Sequence, residues 1–362
     1  MDLILSSKKA DKTIVEVEGV GGYYTWSSSQ FPVLSQKQIA AGLLLLQPRG
    51  LALPHYADSS KIAYVCEGEC IAGLISPEDS KEEVVKIQKG DTIPVTLGTV
   101  SWWYNVGDSK LTIIFLGESS DEYTPGEYCY FFLTGAADIL NGFPNEVIAK
   151  SFHMKKTESE KLMKDQSSLN ILIKVNEGIP IPNPSNSAKR KLVYSLYDAK
   201  PCVDVKNGGV LSSVSGKNIA LLGEIGLSAN RLVLERGAVL GPIFTADSSI
   251  HLSYITKGSG RVVIVGLSGK VVLDTKVEEG QLFFVPKFFP FVVEADEGGI
   301  ELFSLKTSSK QTYGELSGGK KSIWEAASPS ILEASLNMTP DLTKSFKSKI
   351  AKGSVIAPPS TA

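Results

Sequence analysis

Short apolar segments separated by turn residues run through most of the chain. They are rich in Val, Ile, Tyr and Phe, and Gly, Asp, Asn or Ser residues bound them, as around residues 62–65 and 282–285. This pattern is typical of β-strands and hairpins. Many short strands in a compact domain close into a barrel or jelly roll, because closure removes exposed sheet edges. The pattern therefore predicts an all-β protein.

The same order of segments occurs twice along the chain. Three pairs of segments correspond between the halves: 49–53 with 236–240, 62–68 with 252–258, and 147–154 with 331–338. The first two pairs have strand-like composition, whereas the third has the apolar spacing of an amphipathic helix. The segment 177–191, with its proline-rich run at 179–184, separates the halves and is typical of a linker. The repeat predicts two domains, 1–185 and 186–362, each a barrel followed by a helical arm.

Composition and charge exclude several classes of protein. The 362 residues suit two domains of ordinary size, and a net charge of -2 without a basic run argues against nucleic-acid binding. No stretch approaches the roughly 20 apolar residues of a membrane span. The apolar run near the N-terminus is too short for a signal peptide, and four cysteines do not make a dense disulfide framework. We therefore expect a cytoplasmic protein that binds neither nucleic acid nor membranes.

The duplicated barrel with its helical arm resembles the bicupins, and among them the legumin-type (11S) seed storage globulins. The most specific matches are residues 131–135, 146–154, 254–262 and 279–286. The resemblance covers nearly the whole chain and implies two tandem cupin (jelly-roll β-barrel) domains. It also implies a homo-oligomer assembled through apolar positions of the arms, such as Ile148, Phe152, Ile331 and Leu336. The chain lacks the acidic insert and cysteine pattern of the secreted globulins, so it is most similar to a shorter, cytosolic branch.

The resemblance also locates the positions at which metal-dependent cupins carry two His, a Glu and a third His. In the first half these positions hold His55, Ala57, Lys61 and Ser101. In the second half the Glu position holds His251 and the last His position holds Phe291. A metal site needs at least three such ligands, and a lysine repels a divalent cation. We therefore predict that neither barrel holds a metal or another cofactor, and we interpret the third histidine, His153, as a packing or surface residue of the arm.

Strand alternation predicts which side chains line the two barrels. The first set comprises His55, Lys61, Tyr64, Ser101 and Trp103, and the second comprises Phe244, Thr245, His251, Tyr254 and Phe291. Because successive side chains point to opposite faces of a strand, a slip of one residue moves an assignment to the outer face.

Three functions are compatible with these residues. Side chains fill both barrels, as in a packing unit, or a metal-free pocket binds a small organic molecule. Alternatively, the protein is a metal-independent isomerase or cyclase of plant specialised metabolism, acting on an apolar, carbonyl-bearing metabolite through His251, Tyr254 and Lys61. The interpretation ranked first is a non-catalytic bicupin of storage-type, nutrient-reservoir descent with a small-ligand pocket.

Overall fold

The computed structural model describes residues 5–79, 81–166 and 170–359. These residues form two compact units. The N-terminal unit comprises Ala10–Tyr197, and the C-terminal unit comprises residues 198–359 together with residues 5–9. The repeat predicts a boundary after residue 185, whereas the units divide after Tyr197. The units divide later because a short helix and strand that follow residue 185 pack on the N-terminal unit.

The first fourteen strands of the described residues are divided between the units. In chain order these are β1 (Ser7–Lys9), β2 (Lys12–Val17), β3 (Gly21–Thr25), β4 (Ile39–Leu46), β5 (Gly50–Ala57), β6 (Lys61–Glu67), β7 (Glu69–Ile75), β8 (Glu82–Gln88), β9 (Asp91–Val95), β10 (Val100–Asn105), β11 (Leu111–Glu118), β12 (Tyr130–Phe132), β13 (Leu172–Lys174) and β14 (Tyr194–Ser195). Strand β1 belongs to the C-terminal unit, and β2 to β14 belong to the N-terminal unit.

Two antiparallel sheets make up the N-terminal unit. One has the strand order β14-β9-β6-β11-β4-β3-β2, and the other has the order β12-β5-β10-β7-β8 with β13 added to β5. Adjacent tryptophans show how the second sheet divides its two faces. Trp103 lies on the cavity side, whereas Trp102 packs with Ile71, Val84, Tyr104 and Val175 in a separate apolar cluster. The parity of strand β10 thus assigns one tryptophan to each face.

The C-terminal unit contains the remaining strands. They are β15 (Val203–Val205), β16 (Gly209–Val214), β17 (Ser228–Leu234), β18 (Val239–Thr245), β19 (His251–Val265), β20 (Val271–Glu278), β21 (Gln281–Val285), β22 (Phe291–Lys306), β23 (Tyr313–Glu315) and β24 (Ile356–Ala357). They form one antiparallel network in the order β1-β21-β19-β22-β17-β16-β15, with β18, β20, β23 and β24 attached to it. Strand β1 pairs with β21 through Ser7 and Phe283, which explains why the N-terminal residues belong to this unit.

Helices occupy the connections and the end of each unit. They are α1 (Val33–Lys37), α2 (Asn145–Ser151), α3 (Lys156–Gln166), α4 (Asn186–Leu192), α5 (Ala220–Glu224), α6 (Ile323–Ala326), α7 (Pro329–Leu336) and α8 (Pro340–Lys352), with 3-10 turns at Ile139–Gly142 and Leu267–Gly269. Helices α2 and α3 pack together after the first barrel, as α7 and α8 do after the second. These two helical arms, α2–α3 and α6–α8, and the β-rich barrels confirm the predicted fold class.

Candidate functional site

The interior of the N-terminal barrel contains an amine held by aromatic side chains. Lys61 is the first residue of β6, and Tyr130 is the first residue of β12. The Lys61 Nζ donates a hydrogen bond to the Tyr130 hydroxyl at 3.2 Å, and that hydroxyl is also hydrogen-bonded to the Tyr23 hydroxyl. The amine also lies 4.3 Å from the centre of the Tyr130 ring and 4.7 Å from that of Tyr128. These contacts fix the amine at the wall of the barrel.

Burial controls the protonation of this amine. Lys61 is 2% exposed, and burial lowers its pKa to about 7, with the charge of Asp58 acting in the opposite direction. Among the residues that the structure describes, no carboxylate forms an ion pair with Lys61. Desolvation disfavours the charged form of an amine, and the π faces, the Tyr130 hydroxyl and the charge of Asp58 compensate for it only in part. A substantial share of the Lys61 amine is therefore neutral near pH 7, which makes it a usable nucleophile or base.

Burial also raises the pKa of each tyrosine around the amine, namely Tyr23, Tyr128 and Tyr130. Tyr23 and Tyr130 further interact edge to face, with ring centres 5.5 Å apart. Because their pKa values are raised, the hydroxyls stay protonated and remain able to donate hydrogen bonds.

His55 lies on the neighbouring sheet, within β5. Its Nδ1 is 2.8 Å from the backbone oxygen of Leu53, so Nδ1 carries the proton in the neutral ring, because a carbonyl only accepts hydrogen bonds. Burial and the charge of Lys61 lower the pKa of His55 to about 4, against the effect of that hydrogen bond. The ring packs edge to face on Tyr130 with centres 5.0 Å apart. His55 is therefore a neutral neighbour of the amine at pH 7.

These side chains line a narrow cavity that opens to solvent on one side. Lys61, His55 and the hydroxyls of Tyr23 and Tyr130 supply its polar groups, and the remaining lining is apolar: Ile14, Val15, Leu44, Ala52, Trp103, Phe115, Phe132, Ile171 and Leu172. Ile14 is 43% exposed, which places the mouth beside β2. A mainly apolar cavity with a few convergent polar groups is the usual form of a small-molecule site.

Two residues predicted to line this cavity lie elsewhere. Tyr64 is buried but is not among the lining residues, since its position in β6 has the opposite parity to Lys61. Ser101 is also buried outside the lining, where its hydroxyl accepts a hydrogen bond from Trp103 Nε1 at 3.3 Å. Of the five predicted residues, the structure therefore brings His55, Lys61 and Trp103 together.

The C-terminal barrel places His251 in a similar arrangement. His251 Nε2 lies 3.2 Å from the Tyr313 hydroxyl, which also accepts a hydrogen bond from Asn230 Nδ2. Burial and the charge of Lys306 lower the pKa of His251 to about 3, with Asp247 acting in the opposite direction. The imidazole is therefore neutral at pH 7. Phe291 packs edge to face on it, with ring centres 5.6 Å apart.

The buried lysine of this barrel, unlike Lys61, has a carboxylate partner. Lys306 Nζ lies 3.4 Å from Asp247 Oδ2 and 4.4 Å from the centre of the Tyr313 ring. Burial lowers the pKa of Lys306, and Asp247 opposes that effect. The cavity here is smaller than that of the first barrel, and Lys306 is not among the residues that line it. The second barrel thus balances its buried charge internally.

Three residues predicted to line the second cavity do not do so. Tyr254 follows Ser253 in β19, and Ser253 together with His251 occupies the cavity-facing positions. Phe244 lies against Gly314, where an added Cβ would come 2.1 Å from its ring. The hydroxyl of Thr245 donates to the Ser249 backbone oxygen. The cavity therefore contains His251 and Phe291 of the predicted set, and Tyr254, which was predicted to act with His251, lies outside it.

Each barrel pairs a basic residue with a tyrosine that was not predicted from the sequence. Lys61 begins strand β6, and His251 begins strand β19. Tyr130 begins β12, which pairs with β5, and Tyr313 begins β23, which pairs with β18. A sequence signal for the tyrosines exists, because residues 130–135, Tyr-Phe-Phe-Leu-Thr-Gly, correspond to 313–318, Tyr-Gly-Glu-Leu-Ser-Gly. The pair is thus a feature of the repeat.

The residue that lies opposite each basic residue on the neighbouring strand differs between the barrels. Gly117 lies opposite Lys61 in the first, whereas Lys306 lies opposite His251 in the second. A Cβ at Gly117 would come 2.3 Å from the Ser60 backbone oxygen and 2.6 Å from the Lys61 Cα. The backbones therefore approach too closely in the first barrel to admit a side chain at this position.

Metal-binding side chains are not clustered in the described part of the chain. Within residues 5–79, 81–166 and 170–359, no group of three or more His, Cys, Asp or Glu side chains is placed to hold a metal ion. The position opposite His55 in strand β10 is Ser101, and the one opposite Ile243 is Phe291. Neither serine in this setting nor phenylalanine supplies a usual metal ligand.

Comparison with known families agrees with this architecture. Residues 8–160 and 194–344 each match the Cupin family. Since the two regions include most of the chain, the protein belongs to the cupin family, and it carries two cupin domains.

The curated relatives are seed storage proteins. Cocosin 1 of Cocos nucifera is 23% identical over 98% of this chain and 87% of its own length. Legumin type B of Vicia faba is 24% identical over 79% of this chain and 78% of its own length. The predicted resemblance to legumin-type seed storage globulins is confirmed.

Solved structures of the same class superpose on the chain. The coconut allergen cocosin has a TM-score of 0.89 at 24% identity and covers 99% of both chains. Procruciferin, an 11S globulin from Brassica napus, has a TM-score of 0.88 at 22% identity, over 99% of this chain and 97% of its own. An 11S globulin from Wrightia tinctoria, described as revealing an auxin binding site, has a TM-score of 0.84 at 22% identity, over 96% and 94%. These similarities establish the fold.

Proposed function

We propose that the protein is a non-catalytic bicupin of the storage-globulin type whose N-terminal barrel holds a small, mainly apolar ligand. The observation that carries the storage assignment is the extent of the similarity, since 98% of the chain aligns with 87% of cocosin 1. The alternative of an isomerase or cyclase receives less support, because the relatives are storage proteins and Tyr254 lies outside the cavity that contains His251.

The storage role is tested by following the protein through the life of the source plant. A reserve accumulates while seeds fill and disappears during germination, so immunoblots of staged seeds and leaves should show that course. A constant level in leaves with none in seeds would contradict it.

The ligand role is supported by the apolar lining and the few polar groups around Lys61. The Wrightia tinctoria globulin, with its auxin site, suggests an aromatic carboxylate as the first probe. A carboxylate beside Lys61 would favour the protonated amine and accept hydrogen bonds from the tyrosine hydroxyls.

Indole-3-acetate titrated into the protein in a calorimeter tests this role. We expect saturable binding that weakens at least about tenfold in Lys61→Met, the cost of losing one charge-assisted hydrogen bond. Lys306→Met, which changes the buried lysine of the other barrel, should bind as the wild type does. Equal weakening in both variants would contradict a site in the N-terminal barrel.

Assembly through the helical arms is the third part of the proposal. Apolar side chains on the arms are solvent-exposed in a single chain, with Phe152 47%, Ile331 62% and Leu336 44% exposed, whereas Ile148 is buried. Exposed apolar groups concentrated on one element are typical of an interaction surface. Light scattering should give a homo-oligomer that Ile331→Asp with Leu336→Asp converts to monomers. A monomeric wild type at micromolar concentration would refute this part.

We further propose a cytoplasmic location. The four cysteines, all within the described residues, form no disulfide, and Cys202 is exposed. Unpaired exposed thiols are typical of a reducing compartment. In the described residues no helix has the length and apolar character of a membrane span. A fluorescent fusion at the C-terminus should fill the cytosol, and its accumulation in vacuoles would contradict the proposal.

A further inference from the structure

The amine of Lys61 differs from an ordinary buried lysine in its surroundings. It reaches a cavity that opens beside Ile14, and its hydrogen-bond partner is the neutral hydroxyl of Tyr130 at 3.2 Å. Buried lysines are commonly paired with a carboxylate, as Lys306 is with Asp247. Lys61 thus has the two properties of a reactive amine, which are access to a cavity and the absence of an ion pair among the described residues.

A neutral amine in an apolar cavity is suited to one reaction above others. It adds to carbonyl compounds and forms imines, and a desolvated lysine is a known nucleophile for this step. Burial has already lowered the pKa of Lys61 to about 7, so the nucleophilic form is populated without another base. The water that imine formation releases leaves a mainly apolar space, which limits the reverse hydrolysis.

We propose that Lys61 captures small apolar aldehydes as a reversible imine inside the N-terminal barrel. The inference rests on the proposed ligand role of the same cavity and specifies the chemistry of the ligand. Trp103, Phe115 and Phe132 supply aromatic walls that favour an aryl or alkyl body. An aldehyde fits better than a ketone, since its carbonyl carbon carries one substituent and can reach the amine at the wall of the cavity.

The groups around the amine can carry each proton of the reaction. The nitrogen lone pair forms a bond to the carbonyl carbon while the carbonyl π bond breaks, and one amine proton passes to the oxygen to give a carbinolamine. The C–O bond then breaks as the Tyr130 hydroxyl donates its proton to the departing hydroxyl, which leaves as water. The second proton of the nitrogen returns to Tyr130. No oxidation occurs, and the products are the imine and one water molecule.

Charged and titratable neighbours are compatible with this sequence. Asp58 favours the protonated amine, whereas burial opposes that effect more strongly. His55 is neutral at pH 7 since its pKa is about 4. The pKa values of Tyr23, Tyr128 and Tyr130 are raised, so each hydroxyl is protonated before the reaction begins, and Tyr130 regains its proton from the nitrogen at the end. Tyr130 is placed to act as the proton donor, and Tyr23 holds its hydroxyl in position.

Reductive trapping tests the proposal on the full chain. The protein is incubated with benzaldehyde and cyanoborohydride near pH 7, digested, and each lysine peptide is quantified by mass spectrometry. We expect labelling of Lys61 to be at least about tenfold faster than that of Lys306 or of the exposed Lys81, because the neutral amine is the reacting form. Tyr130→Phe should slow the labelling of Lys61 and leave that of Lys81 unchanged.

Two further measurements separate the inference from the ligand role on which it rests. Lys306→Met should retain the Lys61 label, and Lys61→Met should lose only that label. Benzyl alcohol, which has the same ring but no carbonyl, should stabilise the protein in a thermal-shift assay. If it does so while Lys61 labels no faster than Lys81, covalent capture is refuted and the ligand site stands. If it neither binds nor protects, and Lys61 does not label, both proposals fail.

Discussion

The buried amine of Lys61 makes the stability of the N-terminal unit depend on pH in a direction opposite to that of a salt-bridged lysine. In the unfolded chain the pKa of this lysine is about 10.5, whereas in the folded protein burial lowers it to about 7. Between these values the unfolded state binds one more proton than the folded state, so stability rises with pH. Below about pH 7 both states are protonated, and the whole cost of burying the charge is present.

The magnitude of this effect follows from the two pKa values. A shift of about 3.5 units corresponds to about 5 kcal/mol in the low-pH limit, and to about 4 kcal/mol at pH 7. Lys61→Met removes the titrating group and fills a similar volume. Its gain is offset by about 1 kcal/mol for the lost hydrogen bond to Tyr130. We therefore expect Lys61→Met to be about 3 kcal/mol more stable than the wild type at pH 7.

Urea unfolding followed by tryptophan fluorescence measures the difference. Trp26, Trp102 and Trp103 all belong to the N-terminal unit and report on it directly. Repeated from about pH 7 to about pH 9.5, the advantage of Lys61→Met should fall by about 3 kcal/mol, because over this range the unfolded wild type binds about one proton more at Lys61 than the folded wild type, and its stability therefore rises with pH. Lys81→Met, at an exposed position, is the matched control and should differ little from the wild type at any pH.

The pH dependence of the stability difference between Lys61→Met and the wild type shows whether protonation of Lys61 causes it. Other titrating groups, including the buried tyrosines, are common to both proteins and cancel in the difference. An advantage that stays constant with pH would show that packing, not protonation, separates the variants. A wild type more stable than Lys61→Met at pH 7, with the gap narrowing as pH rises, would refute the claim that burial lowers the pKa of Lys61.

Three other results are expected from the same geometry. Tyr130→Phe should lower stability by about 1 kcal/mol, the cost of one buried hydrogen bond, as measured by urea unfolding. Gly42→Ala should destabilise by about 1–3 kcal/mol, since its Cβ would lie 1.8 Å from the Tyr23 hydroxyl; no loss of stability would contradict the observed packing of that ring. Elemental analysis of protein purified without chelator should find no stoichiometric transition metal, and one metal per chain would refute the interpretation of the ligand positions.

Most of the fold could be predicted from the internal repeat of the sequence. Strand-like segments and helical arms recur at corresponding places in both halves. A weak assignment in one half is therefore supported by the matching segment in the other. The boundary between the two domains was harder to predict, because it depends on strand pairings between residues distant in sequence. Strand β14 pairs with β9 through Tyr194 and Thr92, and β1 pairs with β21 through Ser7 and Phe283. Neither pairing has a local signal in the chain.

The site was only partly predictable, for reasons of parity and distance. Lys61 and His251 were found because the repeat places both at the same position, which the strand register of the two units supports. Tyr64 and Tyr254 were assigned to the cavities although they sit an odd number of residues from these basic groups, and side chains at such spacing point to opposite faces. Tyr130 lies 69 residues further along the chain than Lys61, so the pattern around Lys61 did not connect the two.

Gly117 has a consequence for how these two barrels can change. The backbone oxygen of Ser60 would lie 2.3 Å from any Cβ at that position, whereas the corresponding position of the second barrel accommodates Lys306. A duplicated ancestor could therefore acquire a second cation at this position in one copy only. In the other copy no single substitution at this position introduces such a neighbour without displacing the strands. Close backbone packing therefore prevents a substitution at position 117 from placing a new side chain beside Lys61. The neutral, reactive form of the amine can persist during evolution for this reason.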